Sequence, residues 1–239
     1  MNSVWESILN ELEASSDPLQ RRYQEQLFSS RKKVTEVLAQ ILAMQLADQY
    51  LDEQNLRPMI LKQLVEAVIE QDMLAYYHRD YATKSLVEVL LLNRGFQAVS
   101  AYRVAHQLWV EQDYFSAKWI NKRTAEVYGV DIHPAARIGA ALVLDHCMGI
   151  VIGETSILED RIFLFHDVTL GGTGHGDGKR HPHIESDVVI GAGATVLGDI
   201  VIGEGVVIAA GSVVLQGIPA HQMAAGNPAK IKGPARKIQ

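Results

Sequence analysis

Aliphatic side chains recur at every sixth position through Ile184, Ile190, Val196, Ile202, Ile208 and Val214, with Gly191, Gly203 and other small residues beside them. The same frame holds at Leu158, Leu164 and Leu170, and earlier at Ile132, Ile138 and Leu144. Such a period is the signature of a parallel β-helix, in which each short strand ends in a sharp bend and three strands close a triangular coil of about eighteen residues. Strands of a sandwich would alternate strictly and show turn signals roughly every 8 to 12 residues. Two breaks interrupt the frame: a two-residue slip between Leu144 and Ile152, and the segment 171–183, which carries Gly171, Gly172, Gly174, Gly176 and Gly178. Breaks in a solenoid map to loops on one face, often the binding face.

Upstream the period changes to that of helices. Val34, Val37, Leu38, Ile41 and Leu42 lie on one helical face, with Ser29 or Ser30 available as N-cap. Pro58 precedes Ile60, Leu61, Leu64, Val65 and Val68 and is placed to begin a helix. Another helix is predicted from about Ser85 to Leu92, stopped or bent by Gly95, after which Phe96, Val99, Tyr102 and His106 open a new face. Heptads are not sustained, which argues against a coiled coil.

Glycine distribution sharpens the division. Of 19 glycines, only Gly95 precedes Gly129. The pattern predicts an all-helical N-terminal domain over 1–128, a parallel β-helix of hexapeptide repeats over 129–216 and a C-terminal tail over 217–239. At 239 residues and 48% hydrophobic the chain is long enough for a substantial core. A net charge of −6, with both signs mixed in both halves, gives no footprint for nucleic acid or an anionic membrane. The first seventeen residues hold Glu6, Glu11 and Glu13 and no long apolar core, unlike a signal peptide, and no apolar run approaches the twenty or so residues of a membrane span. A single cysteine, Cys147, excludes an internal disulfide and a multi-cysteine zinc site. A cytoplasmic location is expected.

Polar residues that interrupt the apolar coils are the candidates for chemistry, since a solenoid has no structural need for them. They cluster as Asp131 with His133, Asp145 with His146, and Arg180 with His181. Histidine is the side chain whose ordinary pKa lies nearest neutrality, and a weak nucleophile such as an alcohol needs a base of that kind. On its own, though, any one of nine histidines is as well explained by a bond to a backbone carbonyl.

The ordered set Asp131-Ile132-His133-Pro134-Ala135-Ala136, Asp145-His146, Ile152-Gly153-Glu154-Thr155, Val168-Thr169-Leu170-Gly171-Gly172-Thr173-Gly174, Arg180-His181-Pro182 and Ala225-Gly226-Asn227-Pro228-Ala229 resembles the serine O-acetyltransferases of cysteine biosynthesis. The resemblance covers about Asp80 to Gly233. It implies a left-handed β-helix, a homotrimer or dimer of trimers, and acetyl transfer from acetyl-CoA to the hydroxyl of L-serine, with no metal. It assigns catalysis to His146 as general base, Asp131 as its orienting carboxylate and His181. Asp80 and Asp145 would hold the serine ammonium, and Arg180 with His181 its carboxylate. Gly172, Thr173, Ala192, Ala210 and Lys230 would line an acetyl-CoA groove between adjacent β-helices. Cysteine is an expected competitive inhibitor. Asp145, adjacent to His146 in sequence, is expected to be a poor orienter because neighbouring strand residues diverge.

Two departures stand out. Cys147-Met148 follows His146 where small residues are usual, and Cys147 reads as a core filler rather than a nucleophile. The chain ends at Lys237-Ile238-Gln239, shorter than the tail that engages O-acetylserine sulfhydrylase, so that complex is not expected. Rival readings are an acetyltransferase of sugars or other hydroxyls, a non-catalytic scaffold, and a zinc enzyme of the γ-carbonic anhydrase kind using His146 and His166, which are expected to stack in successive coils. The zinc reading lacks a third ligand.

Overall fold

Among the described residues, eight α-helices lead into the solenoid: α1 Val4–Ala14, α2 Pro18–Tyr23, α3 Val34–Leu46, α4 Glu53–Gln63, α5 Glu66–Arg79, α6 Leu86–Leu92, α7 Arg94–Val110 and α8 Tyr114–Tyr128. The structure, a computed structural model, describes residues 3–174 and 178–236. Gly176 and the terminal Lys237, Ile238 and Gln239 lie outside the described residues.

Local signals place most helix starts. The Ser85 hydroxyl accepts the Glu88 N–H to begin α6, and the Asn93 side chain accepts the Phe96 N–H to begin α7. Three expectations are corrected. Ser29 and Ser30 do not cap α3; its N-cap is Lys33, with no side-chain bond, and burial of Val34, Val37, Leu38, Ile41 and Leu42 holds the helix instead. Pro58 sits inside α4, because the Asp52 carboxylate accepts the Asn55 N–H and starts the helix earlier. The helix breaks at Leu64–Val65, before α5. Gly95 neither stops nor bends a helix: it lies in the first turn of α7, where a Cβ would stand 2.1 Å from the Leu144 carbonyl oxygen. Its role is close approach of helix to solenoid.

The hexad residues stack as predicted, in the left-handed parallel β-helix. A first face aligns Ile132, Ile152, Leu170, Val196 and Val214. The second aligns Ile138, Leu158, Ile184 and Ile202. On the third, Leu144, Leu164, Ile190 and Ile208 align and Ala224 continues the column. Neither break disturbs this register. Residues 222–226 pair parallel with the strand at Val207–Ile208 and return antiparallel as 229–234, so this part of the tail extends the third face as a hairpin. Among the described residues no helix is long and apolar enough to cross a membrane.

A solenoid that begins abruptly leaves the open edge of its first coil unpaired. Here helical side chains close it. The Tyr102 hydroxyl donates to Ala136 O, and Arg103 donates to the carbonyls of Ile138 and Gly139. His106 Nδ1 donates to Pro134 O at 2.8 Å. The Leu144 N–H donates to Tyr76 Oη at 2.8 Å, and the Leu142 N–H to Asp72 at 3.3 Å. Asp72, fully buried, also receives Arg103 Nε at 3.1 Å.

Removing one partner of a buried bond strands the other. Tyr76→Phe is expected to cost about 1–3 kcal/mol through the unpaired Leu144 N–H, and Arg103→Met about 3–5 kcal/mol by leaving the buried Asp72 carboxylate without its ion-pair partner. Urea unfolding at fixed protein concentration checks both; an Arg103→Met midpoint equal to wild type would refute the capping role.

Candidate active site

The two breaks build two separate edges of the prism. At the edge between the third and first faces, the slip after Leu144 forces the chain through a bulged corner in which His146 and Cys147 both adopt left-handed backbone, φ +58° and +54°. Cys147 turns inward, buried, its thiol against Tyr128 O, and burial pushes its pKa up to about 11. His146 turns outward, with 70% of its side chain exposed.

Above His146 stand His166, Ala192 and Ala210, each two residues beyond a stacked aliphatic position. Backbone bonds from Asp167 N to Met148 O, Gly193 N to His166 O and Gly211 N to Ala192 O run up this edge. The hairpin closes its top, Gly226 N bonding Ser212 Oγ, and exposed Lys230 pairs with Ala225. Four coil steps of about 4.8 Å put the first strand of the hairpin, residues 222–226, roughly 20 Å above His146. The His146 and His166 rings stack edge-on at 5.7 Å, as the spacing predicted. Among the described residues no group of three or more His, Cys, Asp or Glu side chains is arranged to hold a metal.

The carboxylates arrange differently from expectation. Asp145 Oδ1 lies 3.8 Å from His146 Nε2, because the left-handed corner folds the histidine back rather than letting neighbouring side chains diverge as in a strand. That distance is an electrostatic contact, not a hydrogen bond. Asp131 opens the first strand at the foot of the same corner, its N–H bonding Ile150 O, but its carboxylate accepts from Asn121 Nδ2 at 3.1 Å and makes no hydrogen bond to His146 within the chain. Asp80 is the C-cap of α5, four residues past Tyr76, whose hydroxyl is bonded to the residue before Asp145. A carboxylate at a helix C-terminus is electrostatically misplaced; Ala82 N–H and Thr83 O–H donate to it at 2.9 and 2.7 Å.

The second edge lies between the first and second faces and gathers His133, Gly153, Gly172, Thr173, Arg180 and His181. Arg180 forms an ion pair with Glu154, which holds the Glu154 carboxyl below its ordinary pKa. His181 is buried, and its ring occupies the space a Cβ on Gly153 would need. Burial, then Arg180, lowers the His181 pKa; burial also lowers that of His133. Glu154 and Thr155, which organise Arg180 and His181, were legible only as letters of a motif, since nothing in the hexad frame marks them. Asp131 and His133, adjacent in the sequence pattern, therefore divide between the two edges. Within one chain the structure brings Asp145 to His146 and Arg180 to His181, and it keeps these pairs on opposite sides of the first face.

A family model described as the serine acetyltransferase N-terminal domain matches residues 4–101, and one for bacterial transferase hexapeptide repeats matches 181–216. Serine acetyltransferase 4 of Arabidopsis thaliana is 41% identical over 96% of this chain and 67% of its own length. The soybean serine acetyltransferase complexed with serine superposes with a TM-score of 0.90 at 40% identity, covering 95% of this chain and 97% of that one. The Brucella abortus serine acetyltransferase in complex with coenzyme A gives 0.93 at 36% identity, over 99% and 97%. With a likeness in sequence over 96% of this chain, and solved structures that superpose over nearly all of it, this chain belongs to the serine acetyltransferase family.

Proposed function

We infer that this chain transfers the acetyl group of acetyl-CoA to the hydroxyl of L-serine, releasing O-acetylserine and CoA, with His146 as general base. The observation that carries the assignment of the base is the His146 edge itself. An outward imidazole stands at the foot of a column that narrows above His166 to Ala192 and Ala210 and ends at Lys230. Small side chains leave backbone groups open to an extended cosubstrate, and a lysine at the far end suits its phosphates.

His146 takes the proton of the serine hydroxyl as the oxygen attacks the thioester carbonyl; collapse of the tetrahedral intermediate expels the CoA thiolate, which recovers the proton from the imidazolium. Asp131 serves as the orienting carboxylate once it exchanges Asn121 for the ring, and His181 assists as a donor. Asp80 and Asp145 hold the ammonium, and Arg180 with His181 the carboxylate. The wide separation of the two edges in one chain supports a trimer packed about the first faces. There, Val151 is 39% exposed, and packing would set the Arg180 edge of one copy against the His146 edge of the next. Gly172 and Thr173 then face Ala192 and Ala210 across one acetyl-CoA groove. Pairing of two such trimers through the helices, a cytoplasmic location and competition by cysteine, which keeps both charged groups of serine, belong to the same reading.

His146→Ala is expected to lower kcat by about a hundredfold or more with acetyl-CoA binding nearly intact. Asp131→Asn should lower kcat less, whereas Asp145→Asn should chiefly raise the serine KM; steady-state kinetics separate them, and a near-wild-type rate for His146→Ala would overturn the mechanism.

L-Serine is expected to be preferred over ethanolamine, 3-hydroxypropionate and sugars, since an unmatched buried charge costs about 2–5 kcal/mol. Thiol release from acetyl-CoA with that panel checks the acceptor, and equal rates for ethanolamine and serine would refute it.

Cys147→Ala should keep most activity, because the thiol is held protonated at neutral pH with its pKa near 11. A stoichiometric acetyl-Cys147 adduct by mass spectrometry would contradict this.

A further inference from the structure

Hydrogen-bond donors and acceptors around His181 leave one arrangement of protons. Thr155 Oγ1 accepts from the backbone N–H groups of Arg180 at 2.9 Å and His181 at 3.1 Å. Both lone pairs of the hydroxyl are thereby used, so its own proton is free to donate, and His181 Nδ1 lies 2.9 Å away. The Thr155 backbone N–H approaches the same nitrogen at 3.2 Å. An amide N–H only donates, so Nδ1 is an acceptor and a neutral ring carries its proton on Nε2. That nitrogen faces the glycine slot: a Cβ on Gly153 would lie 2.0 Å from it and one on Gly172 3.4 Å away.

We propose that Thr155 is a positioning residue that fixes His181 as the Nε2–H tautomer and clamps the end of the glycine-rich segment, so that one aimed N–H donor meets the acceptor's carboxylate beside Arg180. This rests on the reading that Arg180 and His181 bind that carboxylate. Protonation of the ring would place an Nδ1–H against the Thr155 N–H, a donor facing a donor, so the clamp and the neutral ring reinforce each other. The groups whose charge reaches the ring are Arg180 and His133, which disfavour its protonation, and Glu154, which favours it. Burial outweighs Glu154, and the ring's pKa lies below its ordinary value.

The test is ¹⁵N spectroscopy of histidine-labelled, ligand-free enzyme, with His181 assigned by its loss in His181→Gln, combined with kinetics of Thr155→Val and Thr155→Ser. Expected are an Nε2–H tautomer in wild type and, in Thr155→Val, where the backbone N–H still faces Nδ1, the same tautomer with an upward shift in the ring's titration midpoint. The serine KM of Thr155→Val should rise about tenfold, the loss of one hydrogen bond of about 1.4 kcal/mol. Its acetyl-CoA KM should stay unchanged. Thr155→Ser, which keeps the hydroxyl, should restore both titration midpoint and serine KM. An Nδ1–H tautomer in wild type, or a Thr155→Val enzyme that keeps both titration midpoint and serine KM, would overturn the proposal. If instead Arg180→Ala leaves the serine KM untouched while the Nε2–H tautomer is observed, the carboxylate reading fails and the clamp stands.

Discussion

The open edge of the first coil is the constraint around which this molecule is built. A parallel β-helix satisfies its backbone by stacking each coil on the next, and the first coil has nothing beneath it. Leu142 and Leu144 present N–H groups there, and Pro134, Ala136, Ile138 and Gly139 present carbonyls. Each is taken up by a side chain of α5 or α7 rather than by another strand. The helical half is thus a cap whose side chains are matched to particular backbone groups, which explains why one continuous core runs from Ile8 to Ala224.

That cap also positions candidate site residues. The α5 residues that bond the third face, Asp72 and Tyr76, are followed one turn later by Asp80, and the Gly95 contact brings α7 against Leu144, the residue before Asp145 and His146. Fixing the edge therefore fixes the end of α5 against the third face, where Arg79 donates to Arg161 O. A substitution at Gly95 or Tyr76 would act on the corner through placement of the Leu144 backbone, which both positions touch.

The two breaks in the repeat do unlike things. The slip after Leu144 adds length within one coil and spends it on two left-handed residues, which send the imidazole outward and the neighbouring thiol inward. The longer break supplies Arg180 and His181, which are tied back to the preceding coil by Glu154 and Thr155. Stacking above and below both breaks continues in register, so the apolar columns carry the stability and the corners are free to carry polar groups.

Periodicity alone determined the solenoid, because a six-residue repeat of inward aliphatics has one way to stack, and it determined the column of His146 and His166 for the same reason. The motif letters singled out His146, Arg180 and His181 as candidates through resemblance. Helix starts were less legible: Ser29, Ser30 and Pro58 were plausible signals outweighed by burial along α3 and by the Asp52 cap of α4. Only the tertiary structure decided the rest. The role of Gly95 depends on a carbonyl from a distant coil, and the closeness of Asp145 to His146 depends on a left-handed corner that strand geometry does not suggest. The tautomer of His181 depends on donors from a residue twenty-six positions earlier. Each is a contact between segments remote in sequence, and one-dimensional patterns record the faces that must be buried but not which groups meet across them.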